Sequence, residues 1–309
     1  MFIDIHCHVC RKVGPPRGAQ QAFATPDQLL AIYDHLGVER GVILPVGMVE
    51  CHNQTQSNEE ALEICEQHPE RFIPFCYIDP RAISNSVDAP LGDMMRYYKT
   101  KGCRGLGEIC ANLPFLNPMM QNLFRHAEAA ELPLTFHIST RFDHDYGIYD
   151  DPGLPQLETS LQRFPKLKFF GHSQPFWAEM APLDTVASRA GYPNTPVKEE
   201  GALPRLMRKY DNLYGDLSAG SGCNALTRDP DYATRFLMEF QDRLLFGMDI
   251  CTPPPVTASN SLVDFLRDLR KRNKITEDIF QKVSRENAIR VLGLSRQTDI
   301  ANPKKSSSI

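Results

Sequence analysis

Eight short runs rich in β-branched or aromatic residues recur along this chain, and each is followed by a longer stretch with the apolar spacing of an amphipathic helix. The runs are Phe2–His6, Gly41–Val46, Phe72–Ile78, Cys103–Ile109, Leu134–Ile138, Leu167–Gly171, Leu213–Leu217 and Arg243–Met248. The helical patterns are Pro26–Leu36, Ser57–Gln67, Val87–Thr100, Pro118–Ala130, Gly153–Phe164, Leu203–Lys209 and Asp231–Phe240. Proline takes the first turn of several, as in Thr25-Pro26 and Asn117-Pro118, where its missing N–H has no partner to lose. Strand–helix alternation of this kind, with no Gly/Ser linker, predicts an α/β fold, a single (β/α)8 TIM barrel. A doubly wound sheet would want a Gly-rich phosphate loop after its first strand, and none follows Phe2–His6. Ser259–Arg270 and Thr276–Leu292 read as closing helices, so the barrel spans residues 1–294. A long, proline-containing connection, about 172–203, holds the one tryptophan, Trp177, and reads as a lid-like insertion. The Lys/Ser-rich residues 295–309 read as a flexible polar tail.

Composition narrows the function classes. A net charge of −4 argues against a broad basic face for nucleic acid. No apolar run approaches membrane-spanning length and no signal-like segment opens the chain, so the expectation is a cytoplasmic protein that meets neither nucleic acid nor membrane. Nine cysteines, an odd number without disulfide-framework spacing, fit a reducing compartment. Cys7 and Cys10 do read C-x-x-C, but no second pair follows to complete a zinc clamp.

In a (β/α)8 barrel the chemistry gathers at the C-terminal ends of the strands. Ligand-type residues fall there. The first strand ends in His6-Cys7-His8, the fourth in Gly107-Glu108, the fifth in Phe136-His137, the sixth in Gly171-His172 and the eighth in Gly247-Met248-Asp249. On an extended strand, alternate side chains share a face, so His6 and His8 point together while Cys7 packs the other way. Two imidazoles on one face make half of a divalent-metal site when carboxylates and further imidazoles converge on them. Glu108 is placed to give one oxygen to each of two ions; its bland reading is the first residue of a solvated loop. Asp249 can ligate and accept a proton from water. Asp4 either orients a histidine through its second ring nitrogen or serves as a hydrogen-bonded acid at the barrel base. His35, His68 and His126 fall in or at the ends of helices and read as solvated or capping residues. His52 and His144, in loops on the active face, are candidates for substrate contact, as are Arg81 and Arg141 for a substrate carboxylate. Phe115, Tyr146, Phe176 and Trp177 either line an apolar side of the pocket or pack under the lid.

With these residues in view, the chain resembles the amidohydrolase superfamily, in the amidohydrolase-related branch that includes aminocarboxymuconate-semialdehyde decarboxylase. The likeness runs from Asp4 to Leu294. It is carried by Asp4–His8, Leu132–His137, Gly171–Ser173, Asn212–Ser218, Leu244–Asp249 and the closing segment Glu286–Leu294. The resemblance implies a metallo-barrel in which His6, His8, His137 and Asp249 hold a cation, usually zinc or manganese. It also implies that His172 either acts on substrate or water, as in the decarboxylases, or binds a second metal, as in hydrolases. Glu108 stands where two-metal members carry a carboxylated lysine or a glutamate. Gly105–Ile109 echoes TatD-type nucleases, although the later motifs and the acidic balance do not suit one. Homo-oligomerisation follows by the same resemblance.

The expected activity is metal-dependent hydrolysis of a small polar substrate, an amide, lactone or related ester, with Asp249 and His172 as the catalytic pair. The alternative is non-oxidative decarboxylation of a small aromatic or enoic acid. One or two ions per chain would separate them, and retention of every ligand-type residue argues against a barrel kept only as a scaffold.

Overall fold

The computed structural model describes residues 1–17, 21–50, 53–143, 145–183, 185 and 187–295. His52, His144 and all of the expected tail but Ser295 lie outside the described residues. Among the described residues nine strands are formed: β1 Phe2–Cys7, β2 Val38–Ile43, β3 Phe72–Pro74, β4 Leu106–Ile109, β5 Leu134–Ser139, β6 Ile148–Tyr149, β7 Phe169–His172, β8 Leu213–Asp216 and β9 Leu244–Leu245. Every pairing is parallel. β1, β2 and β3 run side by side, and β4, β5, β7, β8 and β9 form a second series, with the short β6 attached to β5.

Backbone hydrogen bonds join the two series into one ring. On one side Arg104 N donates to Pro74 O at 2.9 Å, Cys76 N to Gly105 O at 3.0 Å and Gly107 N to Cys76 O at 3.0 Å. On the other, Ile5 N donates to Phe246 O and Asp249 N to His6 O, both at 2.9 Å, and His8 N to Ile250 O at 3.3 Å. The fold is therefore the expected (β/α)8 barrel. Ile3, Ile5, Val42, Leu44, Ile73, Phe75, Phe170, Tyr214 and Leu245 all meet in one buried cluster. Alternate residues from six strands can do so only inside a closed ring. Ile289 and Leu292 of the last helix join that cluster, and a larger one packs the outer faces against the helices.

The helices form for local reasons. Thr25 caps Pro26–Leu36 through a capping box with Gln28, and Gly37 ends it in the left-handed region at φ 75°. Asn117 caps Pro118–Ala130 in the same role. Ala219–Thr227, whose AGSGCNALT composition is poor in helix formers, carries no sequence signal, whereas the short Gln174–Ala178 follows a capping Ser173 and has Pro175 in its first turn. The expected Thr276–Leu292 helix is divided by a π-turn, Lys282–Glu286, where Val283 O accepts a bond from Phe246 N at 3.1 Å. No helix among the described residues is long and apolar enough to cross a membrane.

The start of the connection 172–203 packs against the sheet. Phe176, Trp177, Ala178 and Met180 are buried, and Arg189 pairs with Glu179 at 2.9 Å. The aromatic pair fits against strands where glycines leave room: a Cβ on Gly171 would fall 2.2 Å from the Phe176 ring, and one on Gly215 2.8 Å from Trp177. This aromatic start braces the sheet wall, while most of residues 191–200 are exposed.

Candidate metal centre

Strand ends deliver the cluster that the sequence predicts, with one break in parity. Strict alternation would put Asp4 on the face of His6 and His8, but the β1–β2 register shifts between Asp4 and Cys7. This bulge adds a residue and turns Asp4 away. Its Oδ1 accepts from the backbone N–H groups of His6 (3.0 Å) and Met248 (2.9 Å), and Oδ2 from the Tyr33 hydroxyl at 2.8 Å. Asp4 is thus the hydrogen-bonded acid at the base. Cys7 is buried on the far face, its thiol against Val42 O.

The orienting role falls to Asp216, which the sequence reading left unassigned. Nδ1 of His6 donates to Asp216 Oδ2 at 2.7 Å, and Nδ1 of His8 donates to Leu44 O at 2.9 Å. Both rings are therefore committed through Nδ1, and their Nε2 atoms face one another at 3.2 Å. Glu108 Oε2 stands 3.6 Å and 3.5 Å from these two nitrogens, and Asp249 Oδ1 3.7 Å and 3.5 Å. Glu108 Oε1 accepts from Nδ1 of His137 at 2.8 Å. His172 lies between the carboxylates, Nε2 3.8 Å from Glu108 Oε1 and 3.6 Å from Asp249 Oδ2, while its Nδ1 shares a 2.8 Å hydrogen bond with Ser218 Oγ. His137 thus reaches the group through Glu108.

The electrostatics call for positive charge at the middle. Burial opposes a charge on His6, yet Asp216, Asp249 and Glu108 overcome it and hold its pKa well above the ordinary range. Burial likewise opposes ionisation of Glu108, but His6 and His137 keep its carboxyl well below the usual range. For His172, burial and the neighbouring His6 push the pKa down to about 4, leaving the ring neutral at physiological pH. Two lone pairs turned toward each other repel unless a proton or a cation lies between them. A 3.2 Å separation suits two nitrogens each about 2.0–2.1 Å from one ion. The donor set of imidazoles and carboxylates therefore fits a divalent cation held by His6, His8, Asp249 and Glu108, with His172 and His137 adjacent.

Beside this cluster opens a cavity of about 50 Å3, room for the reacting end of a small molecule. It is lined by Arg17 and Phe23 after β1, Pro45, Val46 and Met48 after β2, Tyr146 after β5 and Cys251 after the last strand. The Arg17 guanidinium lies 4.8 Å from the Phe23 ring, and Cys251 donates to Asp249 Oδ1 at 3.3 Å. Its walls thus come from the loops after β1, β2, β5 and β9.

Other candidates lie elsewhere. Arg81 is held by Asp79 and Glu50 at 2.8–2.9 Å and does not line the cavity. Arg141 is exposed beyond the end of β5 and is not among the lining residues. Trp177 is 2% exposed, its indole N–H donating to Asp216 O at 2.9 Å, so it supports the strand end that carries Asp216. Phe115 and Phe176 are core residues, while Tyr146 alone of the four aromatics borders the cavity, 4.7 Å from the His137 ring. Arg17 and Cys251 were missed because irregular loops offer no period from which to place a side chain. Asp216 obeys the same strand-end rule as the other ligand-type residues and could have been found by it.

Comparison with known proteins agrees with this architecture. The profile of the amidohydrolase family matches residues 3–294. No curated protein matches the sequence. Among solved structures, a probable 2-pyrone-4,6-dicarboxylic acid hydrolase from Acinetobacter baumannii superposes with a TM-score of 0.59 at 14% identity, covering 95% of this chain and 99% of that one. The 5-carboxyvanillate decarboxylase of Sphingomonas paucimobilis gives 0.59 at 18% identity, with 95% and 99% covered. A dihydroxybenzoic acid decarboxylase from Polaromonas, with bound manganese and the inhibitor 2-nitroresorcinol, gives 0.58 at 16% identity, with 97% and 99% covered.

Proposed function

Because this chain belongs to the amidohydrolase family, we propose that it is a metal-dependent hydrolase acting on a small anionic substrate through an amide, lactone or related ester. The observation that carries the reading is the convergence of the His6 and His8 Nε2 atoms on Glu108 and Asp249 beside a cavity with Arg17 at its edge. A divalent ion held there supplies Lewis acidity and makes hydroxide accessible at neutral pH. Zinc or manganese suits the donor set, and manganese is the metal named for the Polaromonas decarboxylase.

The chain's own residues do the rest. Asp249 turns Oδ1 to the histidine pair and Oδ2 toward His172, so one oxygen is placed to ligate while the other takes the proton of the attacking water. Asp249 then passes that proton to the leaving group, while His172, neutral and fixed through Ser218, steadies the developing oxyanion. Arg17 receives the anionic end of the substrate, the place that Arg81 and Arg141 do not fill, and Phe23, Met48 and Tyr146 exclude water from its apolar side. Arg17 is the only Lys or Arg among the described lining residues, too little for a phosphodiester backbone, so a nuclease is not proposed. The described cysteines carry no disulfide, in keeping with the proposed cytoplasmic setting; a homo-oligomer is proposed on family likeness alone.

Decarboxylation of an aromatic acid is the second reading, favoured by the Arg17–Phe23 pair beside the centre. One experiment separates the two. Small amides, lactones and aromatic acids are screened in 18O-water: hydrolysis leaves the label in a new carboxyl group, whereas decarboxylation releases CO2 and leaves no label in the product. Asp249→Asn should lower kcat by about 10²- to 10⁴-fold while circular dichroism is unchanged. Unchanged turnover would remove Asp249 from the mechanism.

A further inference from the structure

We propose that Cys251 is a sulfur ligand to the same ion as His6, His8 and Asp249, meeting it from the cavity side. The inference rests on the metal-dependent reading above and adds a donor of different chemistry to that centre. Cys251 follows Asp249 by two positions on the segment after β9, and their side chains touch: Sγ stands 3.3 Å from Asp249 Oδ1. The ligand atoms of His8, Asp249 and Cys251 all lie within 4.8 Å of one another. Buried lone pairs point to the same place. The Nε2 atoms of His6 and His8, on deeply buried rings, face each other across 3.2 Å with no hydrogen between them, because both rings donate through Nδ1.

The distances are those of donors around one ion. Four donors about 2.0–2.3 Å from a common centre stand about 3.3–3.7 Å apart, along the edges of a tetrahedron. Asp249 Oδ1 is 3.5 Å from His8 Nε2, 3.7 Å from His6 Nε2 and 3.3 Å from Cys251 Sγ, so all three neighbours sit at edge length. The backbone holds the thiol in place. His8 N donates to Ile250 O at 3.3 Å and Ala24 N to Cys251 O at 2.9 Å, while the Ile250 side chain packs into the outer core and Cys251 borders the cavity. Sulfur changes what the centre selects. Imidazole and carboxylate donors suit manganese or zinc, whereas a thiolate favours zinc or cobalt over manganese. As the sulfur–metal bond forms, the S–H bond breaks and its proton passes to the buffer.

The test reads the bound ion, not turnover. Full-length protein stripped by chelation is loaded with Co2+ or Zn2+ and freed of excess ion. The cobalt form should show a sulfur-to-cobalt charge-transfer band in the near ultraviolet. Zinc X-ray absorption should require one sulfur at about 2.3 Å beside nitrogen and oxygen at about 2.0–2.1 Å. Cys251→Ser and Cys251→Ala should lose the band and the sulfur shell while still binding cobalt, with a smaller preference for zinc over manganese; thermal melts confirm that both variants fold. Cys51→Ser should keep the band, and so should Cys223→Ser, at the other part-buried thiol among the described residues. An ion bound without sulfur in the parent overturns the proposal and leaves the metal-dependent reading standing. A band that survives Cys251→Ser, or that disappears in either control, does the same. A parent protein that binds no ion overturns both.

Discussion

Nδ1 of His6 and Nδ1 of His8 both turn away from the cluster, and the partners they meet there differ in kind. His8 bonds to a backbone carbonyl, which fixes its tautomer without adding charge. His6 bonds to Asp216, a buried carboxylate that stays ionised because His6 outweighs the burial that opposes it. A charged partner makes the opposite ring nitrogen a stronger donor. Replacing Asp216 with asparagine keeps the shape and removes that charge, so divalent-ion affinity should fall by about 10- to 100-fold with the fold intact. Competition against a chromophoric chelator measures it, and unaltered affinity would reduce Asp216 to packing. At this scale the sequence was informative wherever a residue ended a strand: His6, His8, Glu108, His137, His172 and Asp249 all lie within one connected group. It was uninformative in loops. Arg81 and Arg141 are as basic as Arg17, and only the folded path of the loop after β1 distinguishes them.

Among the elements, strands were located by composition and helices by period, and departures have local causes. β9 keeps only Leu244–Leu245 of the longer expected run: Phe246 N turns from the sheet to Val283 O, and Asp249 takes the left-handed region at φ 51°. The helix Ala219–Thr227 was invisible since glycine and serine carry no apolar stripe. The helix Pro155–Arg163 begins under a device that a titration can test. Asp150 lies ahead of it and accepts from Asp151 N at 2.8 Å, Gln156 N at 3.1 Å and Leu157 N at 2.8 Å. Burial nevertheless pushes its carboxyl from 3.8 up to about 6. Between those values the folded chain holds a proton that the unfolded chain has released, so this group's contribution to stability falls as pH rises through the window. Asp150→Asn does not titrate. Lowering the pH from 7 to 4 should therefore stabilise the parent relative to the variant by about 2 kcal/mol in denaturant unfolding. A constant difference would show that the three N–H donors fully offset burial.

For the whole molecule, the ring and the ion cluster are one construction. Ligand-type side chains come from β1, β4, β5, β7 and the segment after β9, and a cation among them would bind the folded chain and not the open one. Loading at about 100 times Kd contributes about 2.7 kcal/mol, which for a domain of this size raises Tm by about 4–5 °C. Differential scanning of chelator-treated and reloaded protein reads the shift; equal melting temperatures would sink the idea that the cluster holds an ion. That a barrel would form was legible from the order of runs, whereas the depth of the cavity was not, because its walls are loops.

The backbone seam joining His6 and His8 to Asp249 and Ile250 unites the first few residues with a stretch some 240 positions later. During synthesis the opening histidines leave the ribosome long before their aspartate partner is made. A nascent chain halted before that last strand would carry an open-sided ring and an incomplete claw for its ion. Completion of the centre thus waits on a segment made some 240 residues after the histidines, and fragments arrested before it should remain unloaded and sensitive to protease.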